Sequence, residues 1–87
     1  MELIEQRAKT HGDFAQTADV AVRLMQVLNL PHDMTKSQVH ALDMISVKLA
    51  RIVSGDPNHV DHWRDIAGYA TIVAETLEPH GNGPDRG

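Results

Sequence analysis

The stretch ALDMISVKLARIVSGDPNHVDHWRDIAGYA, residues 41–70, decides the fold of this chain. On either side of its central Gly-Asp-Pro-Asn, apolar residues recur at three- and four-residue steps, which is typical of amphipathic helices. Thr35 followed by Gln38 matches a capping box, so the first of these helices is expected to begin there. It is expected to end at Ser54–Gly55, with Gly55 in the left-handed conformation. Its predicted buried stripe consists of Val39, Leu42, Ile45, Leu49, Ile52 and Val53.

The second helix of this stretch follows the short linker DPNHV. Asp61 is a candidate N-cap, and Asp56 before Pro57 is a competing start, because proline suits the first helical position. The helix is expected to run to about Leu77. Trp63 is the expected core anchor. The predicted buried face as a whole consists of Trp63, Ile66, Ala67, Ala70, Val73, Ala74 and Leu77.

A third helix is predicted earlier in the chain, over residues 13–28. Asp13 is its candidate N-cap, and apolar residues at helical spacing follow it: Phe14, Ala18, Ala21, Met25 and Leu28. Residues 29–34 are expected to form a loop, and residues 2–8 a short additional helix. Only three aromatic residues and few β-branched runs are present, which argues against a sheet. We therefore predict an all-α fold, a small bundle of three main helices plus a short N-terminal helix.

Length and composition constrain the organisation of the chain. Its 87 residues suffice for one domain, expected over residues 1–77, and the glycine- and proline-rich residues 78–87 are expected to form a disordered tail. A domain this small without cysteine has no disulfides to support it, so we expect a homo-oligomer, either a dimer or a tetramer. The net charge of −4 disfavours nucleic acid and anionic membranes as partners. Without a secretory signal or a long apolar run, a cytoplasmic location is expected.

The first group of residues that could bind a ligand lies in RAKTHGDF, residues 7–14. Lys9 and His11, helped by Arg7 and by free backbone N–H groups at the following helix start, could hold an anion. Gly12 permits a tight turn there. The alternative interpretation is a solvated turn that ends in the Asp13 cap.

The second cluster lies on the polar face of the middle helix and contains Asp43, Lys48 and Arg51. The middle helix of a small domain is usually covered by its neighbours, and covered basic side chains need partners. Those partners are either Asp61 and Asp65 of the next helix or the phosphates of a ligand. Both alternatives fit the sequence.

The third cluster lies on the last helix, where Asp61, Asp65 and Tyr69 share one face. Two carboxylates one turn apart, with His59 and His62 nearby, could bind a divalent metal or act as a cap and a salt-bridge partner. A hard cation needs more oxygen ligands than this helix offers, and the histidine spacing matches no zinc motif. We therefore expect no metal site.

These blocks resemble a family of small uncharacterised proteins encoded mainly by bacteriophages and prophages. The family pattern is R-x-x-x-Y-G-D-F, then E-A-L-D-M-I-x-x-K-x-x-R-I-x-x-G-D, then D-x-W-x-D-I-A-G-Y-A, and the resemblance covers about residues 5–77. His11 and His40 depart from the pattern, where the family has Tyr and Glu. The characteristic polar positions that match are Arg7, Gly12, Asp13, Asp43, Lys48, Arg51, Asp61, Asp65 and Tyr69.

More distantly, the helical layout is similar to that of the MazG-like all-α nucleoside-triphosphate pyrophosphohydrolases. Those enzymes hold magnesium with E-E-x-x-E on one helix and E-x-x-D on a later one. Asp65 matches the last Asp, but His62 replaces the Glu before it. On the middle helix the three glutamates are replaced by His40, Asp43, Lys48 and Arg51. Lys and Arg repel a cation but suit a phosphate, so the resemblance implies a scaffold whose metal site is lost.

The predicted function is a phage-encoded protein that binds a nucleotide or nucleotide-derived signalling molecule in the host cytoplasm, without turnover, and so counters host defence. No catalytic residue and no cofactor are expected. One alternative is a MazG-like pyrophosphohydrolase with Mg²⁺ held by Asp43, Asp61 and Asp65. A second alternative is a helical module that binds and inhibits a host protein. The predicted ligand-binding residues are Arg7, Lys9, His11, Asp43, Lys48, Arg51, Asp61, Asp65 and Tyr69.

Overall fold

The computed structural model describes residues 12–79, which contain three α-helices. They are α1, Phe14–Leu28; α2, Lys36–Ser54; and α3, Val60–Leu77. No strand occurs within residues 12–79, so the predicted all-α class is confirmed. The short N-terminal helix expected over residues 2–8 lies outside the described residues, as does most of the expected tail.

Local capping sets the starts of α1 and α2 where the sequence predicts them. The Asp13 carboxylate accepts a hydrogen bond from the Gln16 backbone N–H at 3.1 Å. Both hydrogen bonds of the capping box are present, from Gln38 N–H to Thr35 Oγ1 at 3.1 Å and from Thr35 N–H to Gln38 Oε1 at 2.9 Å. Each cap satisfies N–H groups that have no partner inside the helix.

The middle helix ends at Ser54 with Gly55 as its C-cap, as predicted, but the conformation of this cap and the N-cap of α3 differ from the predictions. Gly55 has φ −123° and ψ −122°, which is not left-handed, although its N–H does cap α2 by donating to the Arg51 carbonyl at 2.9 Å. The N-cap of α3 is His59, so neither Asp61 nor Asp56 takes that role. Asp56 instead accepts a hydrogen bond from the Asn58 N–H at 2.9 Å, because a short polar side chain readily bonds the backbone two residues on.

Helix α2 lies between the other two helices, which do not contact each other. On one face, Ser46 Oγ donates to Met25 Sδ of α1 at 3.3 Å. On another face, Lys48 Nζ lies 2.7 Å from Asp65 Oδ2 of α3. Because successive helical residues differ by about 100°, Ser46 and Lys48 project about 160° apart around α2. The described helices therefore form an open layer rather than the mutually packed bundle that we expected.

Small side chains let the helices of this layer approach each other closely. The buried apolar side chains among the described residues are Ala21, Ala41, Ala50 and Ile52, and the buried polar ones are Thr17, Ser46, Lys48 and His62. Three of these four apolar residues are alanines, so the core within residues 12–79 is thin.

The predicted buried stripes are confirmed only in part: Ala21 and Ile52 are buried, and Ala18, Met25, Leu42, Ile45, Ile66 and Val73 are half-buried. The other predicted stripe residues are exposed, and Trp63 is the plainest case. Its side chain is 52% exposed rather than the core anchor, and its indole Nε1 donates to the Pro57 carbonyl in the linker at 2.8 Å. The stripe of α3 that packs on α2 runs instead through His62, Ile66, Tyr69 and Val73, which are buried or half-buried. Predicted core residues that are exposed include Phe14, Leu28, Val39, Leu49, Val53, Ala67, Ala70, Ala74 and Leu77.

Gly12 holds the start of α1 against the end of α2. Its φ is +83°, a conformation that side-chain-bearing residues rarely adopt. A Cβ at this position would lie 2.5 Å from Ser54 Cβ and 2.7 Å from the Ser54 backbone carbonyl. Position 12 therefore needs glycine for two reasons, its dihedral angle and its close contact with Ser54.

None of the helices within residues 12–79 has the length and apolar character needed to cross a membrane.

Candidate functional site

Lys48 and Asp65 form the charged contact between α2 and α3. Their Nζ–Oδ2 distance is 2.7 Å, and the Lys48 side chain is only 11% exposed whereas that of Asp65 is 47% exposed. A buried ammonium needs a partner, and a carboxylate of the next helix supplies it. Of the carboxylates considered from the sequence, Asp65 is therefore the partner and Asp61 is not.

The electrostatic surroundings of Asp65 favour its charged form. The hydrogen bond from Lys48 is the largest influence and lowers the pKa of Asp65, while partial burial opposes it. The electrostatic influences of Lys48, His62 and Arg51 also act to lower this pKa. Three basic side chains thus act on one carboxylate, although the whole chain carries a net charge of −4.

Arg51 and Tyr69 flank the ion pair. Arg51 lies three residues after Lys48 on α2, is half-buried, and forms no ion pair with any residue that the structure describes. Tyr69 lies one turn after Asp65 on α3 and is also half-buried. The guanidinium offers five donors in a planar fork, and the phenol can both donate and accept a hydrogen bond.

Asp43 and Asp61 lie outside this cluster. Both are exposed, and neither forms an ion pair with another residue in the described range. Within residues 12–79, no three His, Asp or Glu side chains are grouped so that they could hold a metal ion. The structure therefore does not bring Asp43, Asp61 and Asp65 together as a metal-binding set.

Three further predicted site residues, Arg7, Lys9 and His11, lie outside the described residues. Their expected contribution stays a prediction.

His62 belongs to the cluster and was not among the predicted site residues. Its side chain is 2% exposed, and its ring centroid lies 4.6 Å from that of His59 at an interplanar angle of 60°. Its position three residues before Asp65, and its four-residue spacing from Ile66, could have indicated that it shares the α2-facing stripe.

A separate open depression of about 690 Å³ lies at the loop between α1 and α2. Its lining residues are Asn29, Leu30, Pro31, His32 and Asp33. None of them belongs to the cluster around Asp65, and the site considered below does not include this depression.

These features define an all-α protein with a basic cluster between its central and C-terminal helices. A family model described as "Domain of unknown function (DUF6378)" matches residues 1–77, and the chain belongs to this family. No curated protein and no solved structure matches the chain significantly.

Proposed function

We propose that this protein binds a phosphorylated, nucleotide-like small molecule without turning it over. The observation that carries this proposal is the α2–α3 contact, where the buried Lys48 bonds Asp65 and the half-buried Arg51 lies one turn after Lys48. Guanidinium and ammonium groups are the side chains that best complement phosphate oxygens. Because the chain is acidic overall, this local excess of basic groups is the part of the described surface best suited to an anion.

Arg51 is the principal phosphate-binding residue in this proposal. Among the described residues, its guanidinium has no ion-pair partner that a bound phosphate would have to displace. It can also bind two phosphate oxygens at once through parallel N–H groups. Its half-buried position lowers the competition from water relative to a fully exposed arginine.

Lys48, Asp65 and Tyr69 take supporting roles. Asp65 uses one of the three Lys48 ammonium donors, so Lys48 contributes charge and holds the carboxylate in place. The other carboxylate oxygen of Asp65 can accept a hydrogen bond from a ribose hydroxyl or a base N–H. The half-buried Tyr69 ring can stack on a base.

The metal-dependent pyrophosphohydrolase has less support, because the donor set does not fit magnesium. Mg²⁺ is held by oxygen ligands in near-octahedral geometry. Asp65 already pairs with Lys48, and within the described range no third carboxylate or histidine completes a metal-binding group. Basic neighbours would also oppose a cation at this place. We therefore expect binding that needs no cofactor.

The wider role that we propose follows from the resemblance to phage-encoded proteins on a MazG-like scaffold. A phage protein that sequesters a signalling nucleotide in the cytoplasm of its bacterial host would counter host defence. We also propose that the protein acts as a homo-oligomer, because the four buried apolar side chains of the described range make a thin core for an isolated domain.

Thermal-shift and calorimetric titration of the purified full chain tests the binding. The panel contains mono-, di-, tri- and cyclic nucleotides and ADP-ribose derivatives, each with and without Mg²⁺. A ligand at about 100 times its Kd stabilises the fold by about 2.7 kcal/mol. The expected result is a shift without metal and recovery of the intact ligand by mass spectrometry. Absence of binding at micromolar concentrations, or cleavage of the ligand, would overturn the proposal.

Two matched arginine variants locate the site. Arg51→Gln removes the guanidinium and is expected to weaken binding about tenfold or more, since a hydrogen bond to a charged group contributes about 1.5–3 kcal/mol. Arg23→Gln is the control, because Arg23 is exposed on α1 and pairs with Asp19 at 3.2 Å. It is expected to leave the Kd unchanged. Equal weakening by both variants would contradict a site at Arg51.

A further inference from the structure

Helix α3 carries a second apolar stripe that no other described helix covers. It consists of Trp63, Ala67, Ala70, Ala74 and Leu77, all of them exposed, and we call it the outer seam. Its residues are spaced by four, three, four and three positions. This is the alternating spacing of the a and d positions of a coiled coil, which places all five on one side of a helix.

The outer seam and the α2-facing stripe are different sides of the same helix. Asp65, which bonds Lys48, lies on one flank of the α2-facing stripe. Because helical residues differ by about 100°, Trp63 and Ala67 lie on the opposite flank of that stripe. The apolar outer seam and the basic cluster are therefore on opposite sides of the layer, and one can be covered while the other stays accessible.

The outer seam has a large side chain at each end and small side chains between them. Trp63 begins it, Leu77 ends it, and only alanines lie between them. In two antiparallel copies of α3 centred near Ala70, each Trp63 would meet a Leu77, and the alanines would let the helix axes approach closely. The seam is thus complementary in shape to an antiparallel copy of itself.

The charges beside the seam also favour the antiparallel orientation of two α3 helices. Arg64 and Glu78 follow Trp63 and Leu77 directly, and both side chains are exposed. In an antiparallel pair, Arg64 of one copy lies near Glu78 of the other, at both ends. In a parallel pair, Arg64 and Glu78 would lie at opposite ends of the seam, so this attraction would be lost. Charged residues beside a helical seam commonly determine partner choice and orientation in this way.

We propose that a second copy of this chain docks on the outer seam, with the two α3 helices antiparallel. The inference specifies the surface for the self-association included in the proposed function. It does not depend on nucleotide binding, because the outer seam and the basic cluster lie on opposite sides of the layer.

Light scattering coupled to size exclusion, with the full chain at several concentrations, is the first measurement. The wild type is expected to have at least twice the 9.6 kDa mass of one chain. Ala70→Glu places a charge at the centre of the seam and is expected to remove this association. Ala70 is exposed in the single chain, so this variant should not disturb packing within one copy. The helical content measured by circular dichroism should therefore be retained.

Ile72→Glu is the matched control. Ile72 is also an exposed apolar residue of α3, 59% exposed, but it lies about 160–180° around the helix from the seam residues Ala70 and Ala74. This variant should keep the wild-type mass. A monomeric wild type, or equal dissociation of both variants, would overturn the proposal.

Charge exchange tests the orientation. Arg64→Glu alone and Glu78→Arg alone each create like-charge contacts in the antiparallel pair, so each should raise its dissociation constant. The double variant restores opposite charges and should recover most of the lost affinity. If the double variant stays as weak as the single ones, the antiparallel arrangement is wrong. A chain that associates through this seam but binds no nucleotide would overturn the proposed function alone.

Discussion

Helix α2 meets its two neighbours through contacts of different chemistry. Toward α1 the contact is neutral and close, with Ser46 against Met25 and a glycine, Gly12, directly against the backbone of Ser54. Toward α3 the contact is charged, with a buried lysine bonded to a half-exposed aspartate at 2.7 Å. The contact between α1 and α2 thus depends on close packing, and the contact between α2 and α3 depends on electrostatic attraction.

This difference predicts different sensitivities. A contact made by backbone approach and small side chains responds to added volume, because packed interiors have little room to relax. A contact made by an ion pair responds to loss of one charge and to pH. Variants on the α1 side should therefore act by size, and those on the α3 side by charge.

The largest effect is expected for Gly12→Ala. The left-handed dihedral costs an L-residue about 1–2 kcal/mol, and overpacking typically adds about 1–3 kcal/mol, so a loss of about 2–5 kcal/mol is expected. Gly68→Ala is the control, because a Cβ at Gly68 has nothing within 4 Å and lies in mid-helix. That variant should gain up to about 1 kcal/mol. Urea unfolding measures both, and a neutral Gly12→Ala would show that the contact with Ser54 is dispensable.

An intermediate effect is expected from breaking the ion pair, and it should be asymmetric. Asp65→Asn leaves the buried Lys48 ammonium without its carboxylate, whereas Lys48→Met leaves a half-exposed Asp65 that water can solvate. Asp65→Asn should therefore lower the urea midpoint clearly more than Lys48→Met does. If both variants lowered the urea midpoint equally, the burial of Lys48 would not determine how much stability is lost when the pair is broken.

The smallest effect is the acid dependence of the same contact. Because the pKa of Asp65 is lowered from its ordinary 3.8 in the folded protein, its contribution to stability is present above about that pH. This contribution is lost as the pH falls through the lowered pKa of the folded state, since the Asp65 carboxylate binds a proton more tightly in the unfolded chain than in the folded one. The difference in unfolding free energy between wild type and Asp65→Asn should shrink on acidification. A difference that is constant down to pH ~2 would contradict a charged pair.

Several features of this fold that depend on near neighbours could be predicted from the sequence, although the conformation of Gly55 and the N-cap of α3 could not. The Asp13 cap, the capping box of Thr35 and Gln38, and the end of α3 at Leu77 are all correct. Each depends on hydrogen bonds or helix-forming preference within a few residues, so no tertiary information is needed.

The choice of buried face could not be read from the sequence. Helix α3 has two stripes at helical spacing, and the more apolar one, which begins at Trp63, is the one left exposed. The stripe with His62 packs on α2, where Asp65 beside it reaches Lys48. Hydrophobic periodicity ranks stripes by apolarity and carries no information about a partner on another helix.

The candidate site was predictable only as a set of alternatives. Lys48 was expected to meet either a carboxylate of the next helix or a phosphate, and the sequence did not distinguish Asp61 from Asp65. These residues are one helical turn apart, so the choice depends on how far α3 is shifted along α2. His62 was missed because the predicted buried face was built around Trp63, although the four-residue spacing of His62 from Ile66 places both on one face.

The absence of contact between α1 and α3 has a consequence for local opening. Either outer helix can detach from α2 while the other remains docked, so the chain has two separate routes of partial unfolding instead of one. Amide protons of α2 become fully accessible only when both events coincide. Among residues 12–79, the central helix should therefore exchange its amide protons with solvent most slowly, whichever outer helix opens first.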